Sequence, residues 1–253
     1  MVAKNQITED KVTGEQYGSL YLIGGIAAFI VILASLSDIV ISIILSSSHS
    51  FIPQSAIDRF AQFHGNSLIG LYYLDLLNMT TAIIMIPAFL ALCAAHFREN
   101  LITSAFAMVV FSIGTAIFVG NNVALPMLAL SGKYSAAASD AERNLFAAAG
   151  EALLARGAHG SPGAFPGFLL PVIASLMISL VMLKGGVFSK VNAYLGIAGS
   201  VFFMFYFLLV TFVPGTENLA MAVATPGGLL TIAWMTLYAI RLLKLRMAVR
   251  QAG

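Results

Sequence analysis

Charge is scarce in this sequence. Only 9% of its 253 residues are Asp, Glu, Lys or Arg, where soluble domains carry about a quarter. The net charge of +2, with no run of Lys and Arg, gives no footprint for a polyanion and excludes nucleic acid as an expected partner. Cysteine is nearly absent too. Cys93 stands alone, which rules out an intrachain disulfide and a cysteine metal cage. The sequence has no H-E-x-x-H, no G-x-S-x-G, no Walker loop and no C-x-x-C. No catalytic residue is assigned, and the chain reads as a non-enzyme more readily than as an enzyme.

Apolar residues fill the space that charge leaves. They make up 59% of the chain, and the mean hydropathy is +0.92. A soluble fold has nowhere to bury that much apolar surface, whereas a bilayer accepts it. Apolar windows long enough to span occur at about 17–45, 67–95, 101–130, 165–183, 191–213 and 219–243, the last interrupted at Thr225-Pro226-Gly227-Gly228. Backbone groups in lipid must be satisfied within their own segment, and these runs lack the alternation of a membrane barrel, so helices are expected. The first window, about 27 residues long, exceeds a signal-peptide core and reads as a retained span. The expected fold is all-α: a single-domain polytopic bundle of about six transmembrane helices, with one or two amphipathic helices at the outer interface.

Lys4, Lys11, Arg98, Lys184, Lys190, Arg241, Lys244, Arg246 and Arg250 fall on one side of these spans. Arg59, Lys133, Arg143 and Arg156 fall on the other. The positive-inside rule then puts both termini in the cytoplasm of a cell-membrane protein. The cluster from Arg241 to Arg250 reads as a topology anchor, or as a contact for anionic headgroups. On the outer side, Pro53 followed by Ala56, Ile57, Phe60 and Phe63 has helical spacing. Ser139-Asp140-Ala141-Glu142 has the form of a capping box opening a helix over 139–157, with Leu145, Phe146, Ala149, Ala152 and Leu153 on one side. A turn-rich linker, Gly157-Ala158-His159-Gly160-Ser161-Pro162-Gly163, follows.

Tyr21-Leu22-Ile23-Gly24-Gly25 and Tyr194-Leu195-Gly196-Ile197-Ala198-Gly199 look alike, and their small residues favour close helix packing. These motifs, Phe188-Ser189-Lys190 ahead of the second and the long outer connection before the fourth span carry a resemblance. The chain, from about residue 17 to 245, resembles a bacterial membrane-protein family catalogued as domain of unknown function 4386. The resemblance implies the membrane bundle and no activity, cofactor or site residue.

Ionisable residues inside spans are costly and therefore informative. At 1.5 Å per residue, Asp38 and Asp75 lie about 12 Å below the outer ends of the first two spans. Asn121 and Asn122 lie about 13 to 15 Å below the outer end of the third. Ser35, Asp38, Ser42 and Ser46 form one stripe; Asn78 shares a face with Asp75, and Tyr72 is close to it. Pro126 cannot donate to the Asn122 carbonyl, which adds a free acceptor. His64, eleven residues before Asp75, would sit above the cluster. The candidate ligand-binding set is thus Asp38, Asp75, Asn78, Asn121, Asn122, Tyr72 and His64, suited to a cation, an amine or a proton. The same groups also serve as interhelical glue. His49, His64 and His159 all fall on the outer side without a characteristic metal spacing, so metal and cofactor stay open. The expected role is a binding protein with an outward-facing polar pocket. The alternative is an accessory subunit of a larger complex, its partners lipids, other subunits or itself.

Overall fold

Hydrophobicity continuous over 19 or more residues dictates helix, and helix is what forms. The computed structural model describes residues 2–48, 53 and 55–252, and the side chains of residues 15–45, 53 and 55–250. No strand occurs among the described residues. Six helical stretches are long and apolar enough to cross a membrane, and the protein is a multi-pass membrane helical bundle. Its outer surface agrees: Ile23, Ile26, Ile30 and Leu33 recur at helical spacing along the first helix and are all exposed, a row that lipid would cover.

The spans are α1 (Val2–Ser48), α4 (Leu76–Ala94), α5 (Phe97–Asn121), α8 (Phe165–Lys184), α9 (Lys190–Phe212) and α10 (Glu217–Ala252). Each packs on the next in this order, and α10 closes on α1, giving a ring of six. Small residues allow the closest approaches. A Cβ on Gly24 would overlap Ala91 of α4, and one on Gly196 would overlap Ser179 of α8 and crowd Trp234 of α10. The two look-alike motifs are therefore packing seams. Trp234, Tyr238, Phe89, Ile178 and Met182 fill the ring interior in the half nearer Arg98, Lys184 and Arg241, here called the basic end.

Four shorter helices form a cap at the other end. They are α2 (Ala56–Gly65), α3 (Ser67–Tyr73), α6 (Ala124–Ala136) and α7 (Asp140–Gly157). Ser55 and Asp58 make a reciprocal capping box on α2, and Glu151 Oε1 accepts from Ala56 N at 2.7 Å, tying α7 to the same N-terminus. Phe60, Phe63, Leu74, Met127 and Leu154 form a second apolar core separate from the first.

The structure departs from the sequence expectations in four places. The second window is two helices, α3 and α4, broken at Leu74–Asp75. The third breaks at Asn122–Val123, so that α6 leaves the ring and packs on α2 and α7. From Phe97 to Ala136 the stretch is 40 residues long, which as one straight helix would measure about 60 Å, twice what a hydrocarbon core holds. The Thr225–Gly228 stretch does not interrupt α10; Gly227 lies against Phe202 and Phe203 and serves contact with α9. In α7 the buried face is Gly150, Leu154 and Gly157, while Leu145, Ala149 and Ala152 are exposed. Gly150 meets Ala56 and Phe60 so closely that a Cβ would not fit.

Candidate functional site

The polar residues lie where the two helix breaks come side by side, in the seam between the ring and the cap. Asp75 caps α4 from the left-handed region (φ 61°, ψ 26°), a conformation Asp tolerates better than most non-glycine residues. Opposite it, Asn122 is extended (φ −60°, ψ 129°) at the end of α5. Its amide Nδ2 donates to Leu74 O at 3.0 Å and to Asp75 O at 3.3 Å, and its Oδ1 accepts from Ala124 N at 3.1 Å. One side chain thus satisfies acceptors at one break and a donor at the other, the pairing that buried irregular backbone needs.

The Asp75 carboxylate, 6% exposed, has partners on both oxygens. Asn78 Nδ2 donates to Oδ1 at 2.8 Å, and His159 Nδ1 sits 3.0 Å from Oδ2. The other ring nitrogen, Nε2, lies 2.6 Å from the Tyr206 hydroxyl of α9. His159 reaches in from the α7–α8 loop, whose glycines let it pack tightly. A Cβ at Gly157 would overlap the Asn121 main-chain oxygen, and Gly160 (φ 77°) lies against Val210. Phe168 and Phe207 stack beneath the imidazole, with the His159 and Phe168 ring centroids 5.0 Å apart.

Both members of this pair lie just outside the spans. Burial alone would lower the His159 pKa, but the charge and hydrogen bond of Asp75, with help from Tyr206, outweigh it and raise the value to about 10. Burial would likewise raise Asp75, and His159, Asn78 and Arg59 outweigh it, holding the carboxyl below its ordinary value. The pair is therefore an imidazolium facing a carboxylate at neutral pH. Arg59 of α2, 8% exposed, stacks over Tyr73 at 5.9 Å and bonds Gln62 at 3.2 Å, bringing a second cation into electrostatic range of Asp75.

Asp38 joins this group from α1. The Tyr72 hydroxyl donates to its main-chain oxygen at 3.2 Å and also lies within hydrogen-bonding reach of its carboxyl. Asp75 and His159 both act electrostatically on it. No cation stands within ion-pair distance of Asp38 among the described residues. Ser35 and Ser42 share its partly buried face, while the side chain of Ser46 lies outside the described residues.

The structure therefore brings Asp38, Tyr72, Asp75, Asn78 and Asn122 together. Asn121 turns elsewhere: its Nδ2 donates to Gly163 O at 2.9 Å, and its Oδ1 accepts from Arg156 Nε at 3.1 Å. Arg156 also bonds Gly120 O at 2.8 Å and so caps the C-terminus of α5 with positive charge. His64 is exposed at the end of α2; the extended Asn66 resets the helical phase before α3, so the eleven-residue relation to Asp75 does not hold. His49 lies outside the described residues, and no group of three or more metal-ligating side chains gathers among the described residues. His159 and Tyr206 are the site members that sequence reasoning missed. The available signal was a histidine in a loop whose glycines permit close packing. The chain matches no family model, no curated protein and no solved structure.

Proposed function

We propose that this integral membrane protein binds a small cation, the proton included, at Asp38 in the seam between ring and cap, with the cap facing the cell exterior as the distribution of Lys and Arg implies. The observation that carries this reading is an asymmetry between two acids. Asp75 already has its counter-ion in His159 at 3.0 Å, whereas Asp38 has a hydroxyl neighbour in Tyr72 and no cation within ion-pair distance among the described residues. An unpaired carboxylate at membrane depth is costly, and a bound cation or proton relieves that cost. Asp75, His159 and Tyr206 serve as a fixed frame that keeps the site polar and preorganised, and Asn122 holds the two breaks around it.

The test is thermal unfolding in detergent across pH 5 to 8 and with added Na⁺, Li⁺ or tetramethylammonium. The unmodified protein shifts its melting temperature with pH or with one of these cations, and Asp38→Asn flattens that response while remaining folded. Asp75→Asn lowers stability at every cation concentration but keeps the response. An Asp38→Asn variant that responds like the parent rules the reading out.

A further inference from the structure

The basic end carries a second polar feature, unconnected with the seam. A shallow groove of about 200 Å³ is lined by Phe188, Ser189, Asn192, Arg241 and Lys244, with apolar Leu237 beside them. Arg241 and Lys244 lie three residues apart on one face of α10. Arg241 Nε donates to Val187 O at 2.6 Å, which fixes the guanidinium at the rim. Neither cation has an acidic partner among the described residues. The groove also meets the N-terminus of α9, where Ser189 Oγ takes the Asn192 amide at 3.2 Å. The amides of Lys190 and Val191 make no hydrogen bond among the described residues. Two cations with no acidic partner among the described residues and a helix N-terminus together favour an anion.

Asn192 adds a second requirement. It lines the groove, is 1% exposed, and its Oδ1 is buried with no hydrogen-bond partner among the described residues. A buried acceptor left unmatched is costly, and an anion alone would not relieve it, because a phosphate oxygen has no proton to give. The occupant that satisfies both features carries a negative charge and, a few bonds away, a hydroxyl.

We propose that the groove holds the phosphodiester headgroup of an anionic lipid bearing a hydroxyl, glycerol phosphate being the simplest case. The phosphate sits on Arg241, Lys244 and the α9 N-terminus; the hydroxyl donates to Asn192 Oδ1; and Phe188 and Leu237 face the lipid's apolar part. Soluble glycerol phosphate has the same polar chemistry, so the test separates the two sources.

Delipidated protein in a nonionic detergent is melted with dioleoyl phosphatidylglycerol, with phosphatidylmethanol (equal charge, no hydroxyl), with phosphatidylcholine, and with soluble glycerol 3-phosphate. Phosphatidylglycerol raises the melting temperature most, phosphatidylmethanol less, and phosphatidylcholine leaves it unmoved. Lys244→Gln, at an exposed position, weakens the apparent affinity for phosphatidylglycerol roughly fivefold. Equal shifts with phosphatidylglycerol and phosphatidylcholine, or an unchanged affinity in Lys244→Gln, overturn the site. Equal shifts with phosphatidylglycerol and phosphatidylmethanol overturn the role of Asn192. A shift by glycerol 3-phosphate at the concentration at which the lipid acts overturns the lipid as occupant. The lipid comparisons use the unmodified chain, so they decide the matter even where a variant folds poorly.

Discussion

Replacing His159 with Gln removes the counter-ion of Asp75 and leaves a carboxylate of 6% exposure with Asn78 as its near partner. Breaking a fully buried ion pair costs about 3–5 kcal/mol. The His159 side chain is 34% open, which screens the pair, so a loss of about 1–3 kcal/mol is expected. The sign of the pH dependence follows from the two shifts. His159 titrates near 6.5 when unfolded and about 10 when folded, so its contribution is complete below 6.5 and fades as pH rises toward 10. Asp75 is lowered by folding, so its contribution is present above its unfolded value of 3.8 and fades as pH falls below it. The penalty of His159→Gln is therefore largest near pH 5 to 6.5 and shrinks toward pH 10. Cys93 supplies the assay, since this buried thiol should react with a maleimide only when the bundle opens. Thermal melts read by that reaction should show His159→Gln/Asp75→Asn closer to the parent than His159→Gln alone, because the stranded charge is gone. A penalty constant from pH 6 to 10, or a double variant whose loss is the sum of the singles, refutes the reasoning.

Two further outcomes test the seam. Asn122→Asp deletes the donor shared by Leu74 O and Asp75 O and adds a carboxylate beside Asp75, so it should lower stability by about 2 kcal/mol; Asn121→Asp, facing Arg156, should be tolerated in the same melts. Gly157→Ala should cost about 1–3 kcal/mol because the new methyl meets main-chain atoms of α5, whereas Gly132→Ala, with open space around it inside α6, should be neutral or stabilising by a few tenths of a kcal/mol, again by melting temperature.

The spans were legible because hydropathy reports lipid contact directly, and the Ser139 cap because it is local. Depth arithmetic also brought Asp38, Asp75 and Asn122 to one level. What it missed is tertiary. Hydropathy stays high on both sides of Leu74 and Val123, so Asp75, Asn121 and Asn122 read as inward-facing positions of unbroken helices instead of as the breaks they mark. The left-handed Asp75 is held by His159, 84 residues away. Asn121 and Asn122 are adjacent and chemically identical; a change of backbone direction between them sends one to Arg156 and the other to Asp75. The α7 face was misassigned because its contacts rely on glycines, which carry no hydrophobic signal.

The packed half of the ring has a consequence for traffic. Below Asp38 the interior is sealed by Trp234, Phe89, Tyr238 and Met182, each almost wholly shielded and drawn from three different spans. The proposed cation site at Asp38 therefore faces a closed floor on that side. Passage to the far side would demand prising apart α4, α8 and α10.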